Sequence, residues 1–223
     1  MIRLPTALPL LALLAVLTFR EAPASDHTLV LAEPSADFET QWEHHAFVRE
    51  TLYSFTTLDG VKAIRAVGDR SSSGLYRDVD YPIREFPWLE WSWRVERLQK
   101  TADLSIKARE DFAAVLFVIF GEPGLFNRDV PTLAYVWTSP NHDVGDRVAS
   151  PRRPKTQMNI VVESGDGKLG RWVHERRNVI DDYRRAFGNE PPGNVKVIAI
   201  FTDNDQTGEA VESYYGAIGA ASR

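Results

Sequence analysis

Leu89-Glu90-Trp91-Ser92-Trp93-Arg94-Val95-Glu96 decides the fold class. Its apolar residues fall at every second position. Successive side chains of a β-strand point to opposite faces, so Leu89, Trp91, Trp93 and Val95 line one face. Glu90, Ser92, Arg94 and Glu96 line the other. That is the pattern of a half-buried strand in an antiparallel sheet, and it predicts a strand over residues 89–98.

Upstream, Pro82 and Pro87 bound a short connection. Residues 52–58 are rich in β-formers, Asp59-Gly60 is a turn signal, and 61–67 alternates, so the three together predict a hairpin. Residues 28–32 read as an edge strand and 75–80 alternate weakly. Residues 71–74 (Ser-Ser-Ser-Gly) read as a loop, and 40–45 as a turn of helix or a loop. Downstream, 112–120 is a continuous apolar run, read as a strand buried on both faces. Residues 121–129 read as a loop and 132–138 as a strand with Tyr135 and Trp137 on one face. Residues 139–155 are long, polar and Pro-rich, which in a compact domain marks a functional or mobile loop. Residues 158–163 predict a strand, Asp166-Gly167 a turn, and 171–177 its returning partner. Asn178 is a candidate N-cap for a short helix over 179–187, with Gly188 after it. Strands at 195–201 and 213–218 complete the chain. Many strands with turn signals between them predict a mainly all-β, antiparallel β-sandwich or jelly roll with one short helix.

The N-terminus carries Arg3, an apolar stretch over 8–17 and the small residues Ala22-Pro23-Ala24. This predicts a signal peptide over residues 1–24, cleaved after Ala24, and a periplasmic or secreted protein. The stretch is too short for a stable membrane span once cleaved. Residues 25–223 then form a single β-sandwich domain, long enough for a substantial core. A formal charge of −5 argues against nucleic acid as a partner. The absence of cysteine excludes disulfides, thiolate metal sites and a catalytic cysteine.

The most site-like stretch is Thr202-Asp203-Asn204-Asp205-Gln206-Thr207-Gly208-Glu209, which follows the apolar strand at 195–201. Asp203, Asp205 and Glu209 supply the oxygen ligands a hard cation takes, so a structural calcium is one reading. Their spacing is not that of an EF-hand loop, and Asp and Asn side chains bonding nearby backbone amides is the other reading. Asp111 opens the 112–120 run, so a carboxylate pair of Asp111 with Asp203 or Asp205 is expected where the two strands are neighbours. Such a pair suits glycoside hydrolysis. Arg94, Tyr135 and Trp137 are candidates to stack on, or bond, a sugar. Aromatics alternating along a strand are also what a core uses.

Asp111-Phe112-Ala113-Ala114 with Tyr135-Val136-Trp137, then 175–188, then Thr202-Asp203-Asn204-Asp205 with Tyr214-Tyr215-Gly216, resemble successive blocks of a bacterial exported family. It is catalogued as domain of unknown function 3047. The resemblance implies a jelly roll similar to carbohydrate-binding modules and carries no established activity. Three readings therefore stay open. The first is a noncatalytic domain binding a glycan or another polar ligand through Arg94, Asp111, Tyr135, Trp137, Asp203 and Asp205. The second is an envelope polysaccharide hydrolase using Asp111 with Asp203 or Asp205. The third is a scaffold or partner-binding protein using the 139–155 loop.

Overall fold

A computed structural model describes residues 27–121 and 130–223. The expected signal peptide and nearly all of the expected loop at 121–129 lie outside the described residues. The strands run β1 (Thr28–Ala32), β2 (Glu43–Val48), β3 (Leu52–Leu58), β4 (Val61–Gly68), β5 (Ser72–Tyr81), β6 (Trp88–Arg97) and β7 (Ala114–Ile119). They continue as β8 (Thr132–Thr138), β9 (Arg147–Ala149), β10 (Gln157–Ser164), β11 (Val173–Asn178), β12 (Val195–Asp203) and β13 (Val211–Ala221). One α-helix among the described residues, α1 (Val179–Phe187), joins β11 to β12.

These strands form two sheets. One has six strands in the order β11-β6-β13-β4-β3, with β1 beside β13; the other has seven in the order β2-β5-β12-β7-β8-β10-β9. Neighbours are antiparallel except β8 and β10, which run parallel. The protein is thus an antiparallel β-sandwich with one short helix, as the alternation at 89–96 predicts.

Trp91, Trp93 and Val95 of β6 face Leu133, Tyr135 and Trp137 of β8 across the space between the sheets, and all are buried in one core. The ring centroids of Trp91 and Tyr135 lie 5.1 Å apart, and those of Trp93 and Trp137 6.2 Å. Such pairs contribute roughly 0.5–1.5 kcal/mol each beyond the area they bury. In a chain without disulfides this aromatic slab joins the two sheets. Helix α1 begins where Asn178 accepts the Asp181 amide at 3.0 Å and ends at Gly188, whose φ of 74° is left-handed. Both ends match the capping residues read from the sequence, and a cap of this kind contributes about 1 kcal/mol.

Four local expectations need correction. Residues 43–48 form edge strand β2, although every residue of it is exposed and its apolar residues, Ala46, Phe47 and Val48, show no alternation. Strand β5 begins at Ser72, so three of the four residues expected in a Ser-Gly loop are paired in the sheet. The segment 171–177 does not return beside β10, because β8 and β9 already occupy both edges of that strand. It crosses to the other sheet and pairs with β6. The 139–155 loop contains β9, whose three residues are too few to show a period. It is also tied to the sheet: Gly145 N–H donates to the Val161 carbonyl and Val161 N–H to that of Asp146.

Gly74 on β5 lies under the Phe201 ring, and a Cβ there would sit deep inside the ring's contact distance. Gly74→Ala is therefore expected to destabilise the fold by about 1–3 kcal/mol in urea unfolding. Adding Phe201→Ala removes the ring clash and leaves only the tight approach to the Ile200 carbonyl at 3.0 Å, so the two changes together should cost less than the sum of their separate effects. Strict additivity would contradict this packing.

Candidate functional site

Strand β12 places Ile198 and Ile200 in the core between the sheets and turns Phe201 to the outer face of the seven-stranded sheet. The period of two puts Asp203 on that same outer face. Strand β7 is its antiparallel neighbour, with Phe201 opposite Val115. This register carries Asp111, just before β7, to the end of β12. One carboxylate oxygen from each of Asp111, Asp203 and Asp205 lies within 4.8 Å of the others. Asp111 is thus brought close to both Asp203 and Asp205, the two residues expected as alternatives for its partner.

Three of the six carboxylate oxygens accept backbone amides, and two more accept side-chain donors, one of them the Gln206 amide on Asp205. Asp203 accepts Phe112 N–H at 2.7 Å and Ser72 Oγ–H at 3.4 Å. Asp111 accepts Thr207 N–H at 2.7 Å and Gln206 N–H at 3.2 Å. Asn204 accepts Ser71 N–H at 3.0 Å and donates to the carbonyls of Glu209 at 2.8 Å and Gly68 at 3.2 Å. Glu209 accepts Lys100 N–H at 2.7 Å and Thr101 N–H at 3.1 Å. The Gln99 side-chain amide donates to the Asp203 carbonyl. The stretch thus joins three loops, 68–72, 99–112 and 203–209, through side-chain caps on backbone groups.

Burial dominates the electrostatics. It pushes the Asp203 carboxyl well above the usual range, and the neighbouring Asp111, Asp205 and Glu110 charges push the same way, against the Phe112 amide. Burial also raises Asp111, with the Thr207 and Gln206 bonds opposing and Asp205 adding repulsion. Chemically, a group of three carboxylates this close can share a proton or hold a hard cation. Asp111, not Glu209, is the third member of that donor set, because the Glu209 carboxylate caps Lys100 and Thr101.

The other expected site residues do not converge here. Tyr135 and Trp137 are fully buried between the sheets. The Tyr135 hydroxyl donates to Asp182 at 3.1 Å and the Trp137 indole to the Gly165 carbonyl at 3.1 Å. Neither ring has a face open to a ligand, which corrects the expectation that they stack on one. Their alternation along β8 is that of core residues. Arg94 lies on the outer face of the opposite sheet, where it bonds Asp59 at 2.6 Å and Glu96 at 2.9 Å.

The face that carries Asp203 holds a different set of aromatics. His45 on β2 meets Tyr76 on β5 edge-on, with ring centroids 5.0 Å apart. Phe47 lies 6.1 Å from Phe201, and Phe117 lies 5.9 Å from Phe201. Phe47 is 62% exposed, and Tyr76 and Phe117 are half-buried. Burial pushes the Tyr76 hydroxyl up to about 12, with the Arg153 charge opposing and Asp203 adding to the rise. Towards β8 and β10 this face is closed by Leu104 and Phe112, which pack on Val115, Val136 and Val161. The open part is therefore the β2, β5 and β12 side. The signal that marks it in the sequence is the spacing of Glu43, His45 and Phe47, a period of two too short to stand out.

The family model described as protein of unknown function (DUF3047) matches residues 40–219. The chain belongs to this family. No curated protein matches it. Among solved structures it is similar to the family 11 carbohydrate-binding module of the cellulosomal cellulase Lic26A-Cel5E of Clostridium thermocellum. There the TM-score is 0.45 at 9% identity, over 89% of this chain and 95% of the other. It is also similar to the xyloglucanase domain of NopAA, a type three effector from Sinorhizobium fredii (TM-score 0.41, 11% identity, 90% and 98% covered). A third similar structure is the mannan-recognising carbohydrate-binding module TmCBM27 (TM-score 0.39, 11% identity, 88% and 99% covered).

The raised carboxyl of Asp203 gives this DUF3047 protein a pH signature. A carboxyl raised on folding binds more protons in the folded state than in the unfolded one, so stability falls as pH rises above the ordinary Asp value of 3.8. Asn in place of Asp203 keeps an acceptor for Phe112 N–H and carries no charge. Asp203→Asn is expected to be progressively more stable relative to wild type as pH rises from about 4. Parallel pH–stability curves in urea titrations would contradict the assignment.

Proposed function

We propose that the protein is an exported, noncatalytic domain that binds a glycan or similar polar ligand on the open outer face of its seven-stranded sheet. The observation that carries this reading is Phe47, a large apolar ring 62% exposed beside His45, Tyr76 and Phe201, on the face that ends in Asp203. Flat rings receive the apolar face of a sugar, and carboxylates and imidazoles at the edge bond its hydroxyls. Noncatalytic action is supported by the use of the acidic side chains. Asp111 and Asp203 are buried, and their oxygens accept backbone amides at the loop junction. Export is supported by the apolar N-terminal stretch and its small residues before Ser25.

A hydrolase is the second reading, favoured by the approach of three carboxylate oxygens to within 4.8 Å and by the raised carboxyls of Asp111 and Asp203. The two readings separate on chemistry. The binding reading expects retardation of the protein in gels containing a soluble polysaccharide, with no new reducing ends. Phe47→Ala should weaken that retardation about tenfold while leaving the melting temperature unchanged, since an exposed side chain supports little of the fold. Reducing ends that disappear in Asp205→Asn would favour the hydrolase instead. Full retention of affinity in Phe47→Ala would reject the proposed face. For export, N-terminal sequencing of the periplasmic fraction is expected to begin at Ser25, and an intact Met1 would reject it.

A further inference from the structure

On the inner side of β2, away from the aromatic face just described, a cleft of about 500 Å³ opens between the edges of the two sheets. Its floor is apolar: Phe38, Trp42, Tyr53 and Leu75 are all buried. Its rim carries Glu39 and Glu50, both exposed. Neither carboxylate has an ion pair or hydrogen bond among the described residues. Of the other polar groups of the lining, the Trp42 indole N–H is buried without a partner among the described residues, while His44 and Thr51 are engaged. His44 Nε2 bonds Ser73 Oγ at 2.9 Å, and the Thr51 hydroxyl donates to the Thr202 carbonyl at 2.8 Å.

We infer that this cleft binds a small organic cation with an apolar stem, of the alkylammonium class. Two free carboxylates above a floor of aromatic rings supply what an ammonium group on a short hydrocarbon chain requires. The charges attract the head, the rings accept a cation at their faces, and the floor removes the stem from water. An anionic ligand would meet two like charges, and an uncharged one would gain no attraction from either carboxylate. The cleft lies on the opposite side of β2 from Phe47, so this inference stands apart from the glycan-binding reading.

The test is an NMR titration of the full chain with n-pentylamine, with 1-pentanol as the uncharged probe of equal stem length. Pentylamine is expected to give saturable shifts of the Trp42 indole and the amides of Thr51 and Tyr53, with pentanol much weaker. Replacing both carboxylates, Glu39→Gln with Glu50→Gln, should weaken pentylamine binding about tenfold, because exposed charges contribute modestly and screenably. Adding salt should weaken the wild type and leave the double variant unaffected. Both positions are exposed, so the fold is expected to persist, checked by the unchanged amide spectrum away from the cleft. Absence of saturable shifts, equal binding of pentanol, or equal affinity in the double variant would overturn the inference.

Discussion

Carboxylate capping at the end of β12 is the constraint on which the open face of this sandwich depends. Asp203, Asp111 and Glu209 each accept backbone amides from a loop other than their own. Hydrogen bonds to an ionised acceptor are worth more than neutral ones, roughly 1.5–3 kcal/mol each. That gain fits Glu209 better than the raised Asp203 and Asp111: against burial, its Thr101 and Lys100 bonds hold its carboxyl below the usual range. This chain has no cysteine, so no disulfide fixes its loops. Acidic side chains take over that work. They hold the 99–112 loop over the middle of the seven-stranded sheet, where Leu104 and Phe112 close the outer face. The part left open is the β2, β5 and β12 side.

That arrangement has an electrostatic cost. Three carboxylates share one corner, and burial raises two of them. The cost is tolerated because the amide bonds favour the charged forms while desolvation and mutual repulsion oppose them. A shared proton or a bound cation relieves the same repulsion, so the corner can be structural and responsive to pH or metal at once. The aromatic slab of Trp91, Trp93, Tyr135 and Trp137 contributes differently. It joins the two sheets by packing, and it leaves none of its rings for recognition.

The parts of the fold legible in the sequence were those with a period or a cap. The alternation at 89–96 located β6 and its buried face, and Asn178 with Gly188 bounded α1. The proximity of Asp111 to Asp203 followed from one strand beginning where its neighbour ends. Strand β2 was not legible, because an edge strand exposed along its whole length has no apolar face to display. The pairing of β11 with β6 was hidden because it depends on which sheet edges are already filled, a property of the assembled molecule. Tyr135 and Trp137 misled for a related reason. A period of two shows that residues share a face, and only the position of the second sheet shows whether that face is covered.

We propose the open face bounded by β2 and the 203–209 turn as the recognition surface. Hydrogen–deuterium exchange of the protein with and without the soluble polysaccharide that retards it tests this most directly. Protection is expected to concentrate in residues 43–48 and 203–209. Protection confined to the outer face of the six-stranded sheet, around residues 61–68 and Arg94, would contradict it.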